Sequence, residues 1–421
     1  MTLPTSVSRP TLLSSVASEG EAPRFAAFAH RNFRLFWIGN LVSLIGTLAQ
    51  MTALGWLVRM LTDDPRAVTA VTACTTGPNL FLALYAGVLA DRVDKRRALI
   101  WLNAAGAALA VLLAFLAWMN WIQVWQVLLL AFVAGVINAF DIPVRQSFNY
   151  EMVGKRDLPN AIALNSTAFN LARVAGPAAG GLLLYQLGAA GCFLVNAISF
   201  GALILGLSLM RLEPHQAVVR PFNMRDFWRG VLFVRRNRVL RLLIVLVSVV
   251  SVLALSYGSL LPIFAKDVFR TGELGYSMLL VCNGLGAFIA AITTAAARDM
   301  KHKGKRLLLG AFLTCLSIVG FASSPQLWMA CLFLIVAGWA LLMFLMTANI
   351  FAQTLPPDYL RGRVFSIYAL SLVGMMPVGA ILIGALAKVW GARLSVQLCS
   401  LAAAFFTFYI FIRFPQLWKE R

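Results

Sequence analysis

Asp141 and Arg145 stand in the run Asn138-Ala-Phe-Asp141-Ile-Pro143-Val-Arg145. On a helix, Asn138, Asp141 and Arg145 fall on one face. An acid and a base so placed can pair with each other, or the acid can take up a proton as the pair opens. A second charged run is Gly87-Val-Leu89-Ala-Asp91-Arg92-Val-Asp94-Lys95-Arg96-Arg97. Gly87 would let a neighbouring helix approach closely. Asp91 suits the positive end of a helix dipole, and Lys95 or Arg96 can hold a partner carboxylate. The expectation is a latch of Asp91, Lys95 or Arg96, Asp141 and Arg145, made in one conformation and broken in another. The competing expectation is that Asp141 pairs only with Arg145.

Arg173 lies far inside an apolar run, where a cation is costly and normally faces a cavity or a partner. Three roles are open to it. It can bind an anionic group of a substrate, pair with a carboxylate such as Asp141, or reach back to the surface along its aliphatic stem. Asn170 sits one turn before it. Just beyond come Gly176, Pro177, Gly180 and Gly181, which soften a helix and admit a close neighbour. Asn40, Ser43, Thr47 and Gln50 form a polar stripe at helical spacing. Ser248, Ser251 and Ser259 repeat it faintly. Asn138, Asn170, Arg173, Tyr257, Asn283, Tyr368 and Ser371 are candidates for the same cavity wall. No acid stands at mid-span, so Asp141, near the cytoplasmic end of the fourth span, is the one candidate for a membrane-embedded proton site.

The elements that must position these residues are membrane helices. The chain has 421 residues, 60% hydrophobic and only 12% charged, against about a quarter charged in soluble domains. Apolar runs long enough to span a bilayer, about 20 residues, are expected at 34–60, 66–90, 97–118, 122–146, 159–186 and 189–211. A second set is expected at 239–265, 274–297, 306–322, 326–350, 363–388 and 392–413. The fold class is therefore an all-α membrane protein of twelve transmembrane helices in two pseudo-symmetric six-helix bundles. The turn signals are Asp63-Asp64-Pro65, Gly188 to Gly191, Ser323-Ser324-Pro325 and Gly391.

The formal net charge of +20 lies in every second loop, which sets topology and puts both termini in the cytoplasm. No basic face with interleaved aromatics is present, so nucleic acid is not an expected partner. The expected organisation is a cytoplasmic tail (1–33), a first bundle (34–211), a linker (212–238), a second bundle (239–413) and a short tail (414–421). In the linker, Phe222, Phe227, Trp228, Val231 and Leu232 can share one helical face, with Arg225, Arg229 and Arg236 on another, as suits a helix on an anionic leaflet. Six cysteines in apolar segments and three histidines in polar flanks show no metal-ligand spacing. With no metal, no cofactor and no catalytic cluster at membrane depth, the chain does not read as an enzyme. Nothing requires more than a monomer.

The run from Gly87 to Arg96 resembles the signature loop of the major facilitator superfamily, Gly-x-Leu-x-Asp-Arg-x-Gly-Arg-Lys. Gly87, Leu89, Asp91 and Arg92 match, Lys95 and Arg96 keep the basic places, and Asp94 replaces the second glycine. Gly176-Pro177-Ala-Ala-Gly180-Gly181 resembles a segment of its exporters and antiporters, with Ala172 where an upstream glycine is expected. Asp141-x-Pro143-x-Arg145-Gln146, Asn160-Ala-Ile-Ala-Leu164, Pro262-x-Phe264-Ala-Lys266-Asp267 and Leu360-Arg-Gly-Arg-Val364 are similar to one branch. It holds the enterobactin exporters and macrolide efflux proteins, the transmembrane secretion effectors. The resemblance implies a bacterial inner-membrane exporter of siderophore-like or drug-like small molecules, working by alternating access against proton entry. An importer, or a lipid or lysophospholipid mover on the same fold, is the alternative.

Overall fold

A computed structural model describes residues 26–90, 92–210, 224–296 and 303–414. Every regular element among them is helical. The first three long helices are α1 (Arg31–Leu61), α2 (Pro65–Ala90) and α3 (Lys95–Trp118). They are followed by α4 (Val124–Ser208), a continuous path of 85 residues interrupted at Gly154 (φ 69°) and Gly188 (φ 68°). Glycine takes this left-handed conformation without the clash a Cβ would make. The break at Gly188 turns the chain back on itself: the Cys192 thiol donates to the Gly180 carbonyl at 3.5 Å. Gly391 (φ 79°) breaks α12 (Met376–Arg413) in the same way.

Between them lie α5 (Met224–Arg236) and α6 (Arg238–Val249), then a stretch whose winding changes repeatedly. Val250–Ala254 is a π turn, Leu255–Leu260 a 3-10 turn, α7 (Leu261–Ile263) a single α turn, and Phe264–Val268 a second π turn. Pro262 contributes, since it lacks the N–H that continues an α ladder. The chain continues through α8 (Gly272–Ala296), α9 (Lys303–Ser323), α10 (Leu327–Thr354) and α11 (Asp358–Val373), which leads into α12.

Among the described residues nine helical stretches are long and apolar enough to cross a membrane, two of them of 53 and 56 residues. At about 1.5 Å per residue each of these two is well over twice as long as a bilayer core of about 30 Å requires. Their outward faces are apolar, with Phe81, Trp101, Trp118, Ile198, Val389 and Phe405 exposed. That surface suits lipid rather than water.

The chain alternates between two ends. The linker end carries the starts of α1, α3 and α6 and the Gly154 break. The distal end carries residues 62–64, 119–123, 269–271 and 324–326 with Gly188 and Gly391. In the first half α1, α2 and α3 pack on α4; in the second, α8 and α9 pack on α10, and α12 packs on α9 and residues 250–260. The halves meet through α4 with α8 and α2 with α12.

Two features depart from the sequence expectation. The span expected at 122–146 runs on to Gly154, because polar residues at a membrane boundary lower hydropathy without ending a helix. In the linker, Gly230 and Val234 are buried while Trp228 and Leu232 are exposed. Thus α5 turns a small-residue edge toward α11, where a Cβ at Gly230 would lie 2.9 Å from Arg363 Cβ. Phe222 and the side chains of Arg225 and Phe227 lie outside the described residues.

Candidate transport pathway

A cavity of about 600 Å³ opens within the first half, between α1, α3 and α4. The α1 stripe Asn40, Ser43, Thr47 and Gln50 lines it, together with Asn138, Asp141 and Arg145. So do Asn103, Asn149, Asn165 and Asn196, none of which the sequence patterns single out. Phe36, Leu44, Phe169 and Phe200 supply apolar wall. Many of the amides hold one another. Asn196 Nδ2 donates to Gln50 Oε1 at 2.8 Å and Asn165 Nδ2 to Asn149 Oδ1 at 2.9 Å. Asn165 Oδ1 is buried with no donor among the described residues, so it is available to a ligand or water.

Asp141 accepts from Arg145 Nε at 2.7 Å and Nη2 at 2.8 Å. Arg145 Nη1 also donates to Asn40 Oδ1, and its guanidinium lies 5.9 Å from the centroid of the Phe36 ring. The pair thus joins α4 to α1 in the cavity wall. This bidentate geometry fixes orientation as well as charge.

Among the described residues the members of the expected latch do not form one cluster. Lys95 pairs with Glu151, two turns beyond Arg145 on the extended helix, and not with Asp141. Arg96 donates to the carbonyls of Leu207 and Ser208, both at 2.7 Å, capping the end of α4. Asp94 caps α3 by accepting from the Arg97 N–H at 3.0 Å. Arg92 is exposed, and Asp91 lies outside the described residues. Around Gly87 no described atom comes within 4 Å of where a Cβ would sit, so no described residue is the expected close neighbour. The described contacts between the halves that are charged lie at the distal end instead.

That closure is built from polar contacts. Arg59 in the last turn of α1 is buried, at 6% exposure. It donates to Asp267 of the second half and also pairs with Asp63. Lys266 Nζ donates to the Arg59 carbonyl at 3.2 Å. Lys388 lies 3.5 Å from Asp64. The guanidinium and N–H of Arg66 hold the Asp64 carboxyl well below the usual carboxylate range. Small residues let the helices meet there. A Cβ at Gly181 would lie 2.1 Å from Ser277 Cβ, and Ser277 donates to the Pro177 carbonyl at 2.6 Å. Gly176 and Gly180 face Leu48 and Ala49 of α1 instead, at 2.5 and 2.9 Å from their would-be Cβ atoms.

Arg173 stands apart from both networks, partly buried where α4 crosses α8. Asp141 is engaged by Arg145, so the expected Arg173–Asp141 pair does not form. Among the described residues Arg173 has no hydrogen bond or ion pair, and its backbone packs against Gly284 of α8. Asn283 donates to the Tyr257 hydroxyl at 2.7 Å. Asn170 is buried, with Nδ2 on the Ser166 carbonyl and Oδ1 unpartnered. Asn170, Arg173, Tyr257 and Asn283 therefore lie outside the 600 Å³ cavity. Tyr368 donates to the Leu345 carbonyl at 3.2 Å and Ser371 to the Ile367 carbonyl at 2.8 Å. Both are buried and also outside that cavity, because backbone carbonyls in an apolar core satisfy such hydroxyls.

The family model of the transmembrane secretion effectors matches residues 22–420. The staphyloferrin A transporter of Staphylococcus aureus is 25% identical over 382 residues, covering 86% of this chain and 89% of that protein. The multidrug efflux pump Tap of Mycolicibacterium fortuitum is 26% identical over 361 residues, covering 83% and 88%. In fold, the chain is similar to a solved POT family transporter, with a TM-score of 0.73 at 13% identity over 94% of this chain and 98% of that one. The motif from Gly87 to Arg96 and the Gly-Pro segment thus point where the whole-chain match does: this multi-pass membrane protein is a transporter, not an enzyme, and belongs to the transmembrane secretion effector family of the major facilitator superfamily.

Proposed function

We propose that the chain is a secondary active exporter of siderophore-like or drug-like small molecules, moving them out of the cytoplasm by alternating access. The observation that carries this reading is asymmetric closure. Arg59–Asp267 and Lys388–Asp64 join the halves at the distal end, while at the linker end no described atom lies within 4 Å of where a Cβ at Gly87 would sit. One end shut and the other parted is the arrangement alternating access requires. The names of the relatives, one a siderophore transporter and one a drug pump, supply the substrate classes.

In this reading the stretches of 53 and 56 residues each cross twice, at the Gly188 and Gly391 breaks. With α2 the total is twelve crossings in two bundles, 34–211 and 239–413, joined by the 212–238 linker. Both termini face the cytoplasm of a bacterial inner membrane, following the basic loops. The protein works as a monomer. The loop Gly87–Arg96 with Glu151 and the Asp141–Arg145 pair forms the cytoplasmic latch of the opposite state, and Asp141 is the proton-responsive acid.

The test is accumulation of labelled siderophore and of a fluorescent drug in cells with and without the protein, repeated with an uncoupler. Lower accumulation that rises when the proton gradient collapses supports energised export. Equal accumulation of both compounds in both strains removes these substrates and favours the importer or lipid-mover reading.

A further inference from the structure

Near the middle of the stretch between the Gly154 and Gly188 breaks, Arg173 brings a full positive charge to the junction of the halves. A Cβ at Gly284 of α8 would lie 2.4 Å from the Arg173 carbonyl, so the backbone at Arg173 packs on α8 at the residue after Asn283. A guanidinium at this depth is costly unless something compensates it, and arginine keeps its charge at any physiological pH. No described carboxylate pairs with it. Asp141, the candidate membrane-embedded acid, is held by Arg145.

What surrounds Arg173 instead can bind an anion. Tyr257 stands in the 3-10 turn Leu255–Leu260 of the opposite half, bonded to Asn283 of α8. Its oxygen accepts from Asn283 Nδ2 at 2.7 Å. That bond occupies a lone pair and leaves the O–H proton for another acceptor, none of which is seen among the described residues. One turn from Arg173, Asn170 Oδ1 is buried and unpartnered, an acceptor for a hydroxyl beside the anion. The helix that carries Tyr257 is irregular from Val250 to Val268. Non-α turns inside a helix recur at hinges and functional sites, and transporter sites form where broken helices meet at mid-membrane between the halves.

We propose that Arg173, the Tyr257 hydroxyl and Asn283 form a recognition site for an organic oxyanion, a carboxylate or phosphate, carried by the transported molecule or by a lipid headgroup. The inference deepens the export reading and rests on it for the word "transported". Arg173 comes from one half, Tyr257 and Asn283 from the other, so the anion is gripped across the moving junction. The site selects against cations, because an unpaired guanidinium repels them.

The experiment measures binding to purified protein in a neutral detergent, by thermal shift and by calorimetry. Citrate, benzoate and glycerol phosphate are the probes, with trimethyl citrate as the neutral match and tetraphenylphosphonium as the cation. At least one anion should bind about tenfold or more tightly than its neutral match or the cation. Arg173→Gln should abolish that preference, Arg173→Lys should retain part of it, and Tyr257→Phe should weaken it severalfold. If Arg173→Gln does not give a monodisperse protein, Tyr257→Phe carries the test, since it keeps fold and charge and removes only the hydroxyl. Nanodiscs of phosphatidylglycerol against phosphatidylcholine separate the sources. An Arg173-dependent shift with phosphatidylglycerol alone assigns the site to a lipid headgroup; one with soluble anions assigns it to cargo. Absence of any Arg173-dependent preference, for soluble anion or lipid, overturns the site. Anion binding without altered cellular accumulation would keep the site and remove export.

Discussion

Arg59 of α1 donates to Asp267 of the opposite half through Nε at 3.1 Å and Nη2 at 2.8 Å, at the point where the two halves close on one another. The arginine is buried and the aspartate only partly so. Opening this end must expose the arginine to water and part the two charges.

Asp267→Asn removes the charge from that contact while keeping its shape. The distal end should then open more often, because the closed state loses an interaction that the open state lacks. A cysteine placed at Ser277, buried in the closed junction, should react with a membrane-impermeant maleimide about five- to fiftyfold faster, the range of a coupling of about 1–2.3 kcal/mol. An unchanged labelling rate would remove Arg59–Asp267 as a gate.

The same assay fixes the pH behaviour of the neighbouring pair. Arg66 lowers the folded pKa of the Asp64 carboxyl below its unfolded value of about 3.9. A depressed carboxylate contributes stability above the unfolded value and loses it as pH falls through the folded one. Labelling at position 277 should therefore be flat between about pH 8 and pH 5 as far as Asp64–Lys388 is concerned. A rise in that interval that disappears with Lys388→Met would contradict the assignment.

Lys95 and Glu151 are both largely buried, at 6% and 18% side-chain exposure. Removing one member of a buried pair costs up to about 3–5 kcal/mol, less where further contacts of the other member persist. Lys95→Gln or Glu151→Gln should lower the melting temperature in detergent and reduce transport. Lys95→Glu combined with Glu151→Lys should recover a substantial part of both; a double variant as weak as the worse single one counts against direct pairing.

Gly181→Val should prevent the junction from closing, since even its first carbon would fall 2.1 Å from Ser277 Cβ. The expected loss is about 1–3 kcal/mol from overpacking, seen as a lower melting temperature and constitutive labelling at the distal end. Combining it with Ser277→Gly should relieve the clash.

Asp141→Asn leaves Arg145 without its anion in the cavity wall. In proteoliposomes with an imposed pH gradient, substrate flux through this variant should lose its dependence on the gradient. Retained gradient dependence would place proton coupling elsewhere in the molecule.

Several of these elements can be read from residue order. Gly188 and Gly391 stand out as turn signals and are positive-φ breaks within the stretches of 53 and 56 residues. Asn40, Ser43, Thr47 and Gln50 read as one helical face and do line one cavity, because spacing fixes a face. What spacing cannot fix is which face meets which neighbour. Lys95 finds Glu151, a residue beyond the apolar window that marks the span. Tyr368 and Ser371 look like cavity residues by type but satisfy carbonyls inside the second half. The changes of winding between Val250 and Val268 have only Pro262 as a local signal, since they answer to packing against helices far away in sequence.

The 600 Å³ cavity has every one of its walls between Phe36 and Phe200. If the halves rock as rigid bodies, a molecule lodged there travels with its container as a passenger. Its contacts are the same before and after the swing, so it holds both conformations with equal strength and pushes the equilibrium toward neither. Such a passenger can be carried, or can block the way, but it cannot serve as the trigger. The trigger belongs to groups that change partners during the swing, which in this protein include those facing each other across α4 and α8 and the pair Arg59–Asp267.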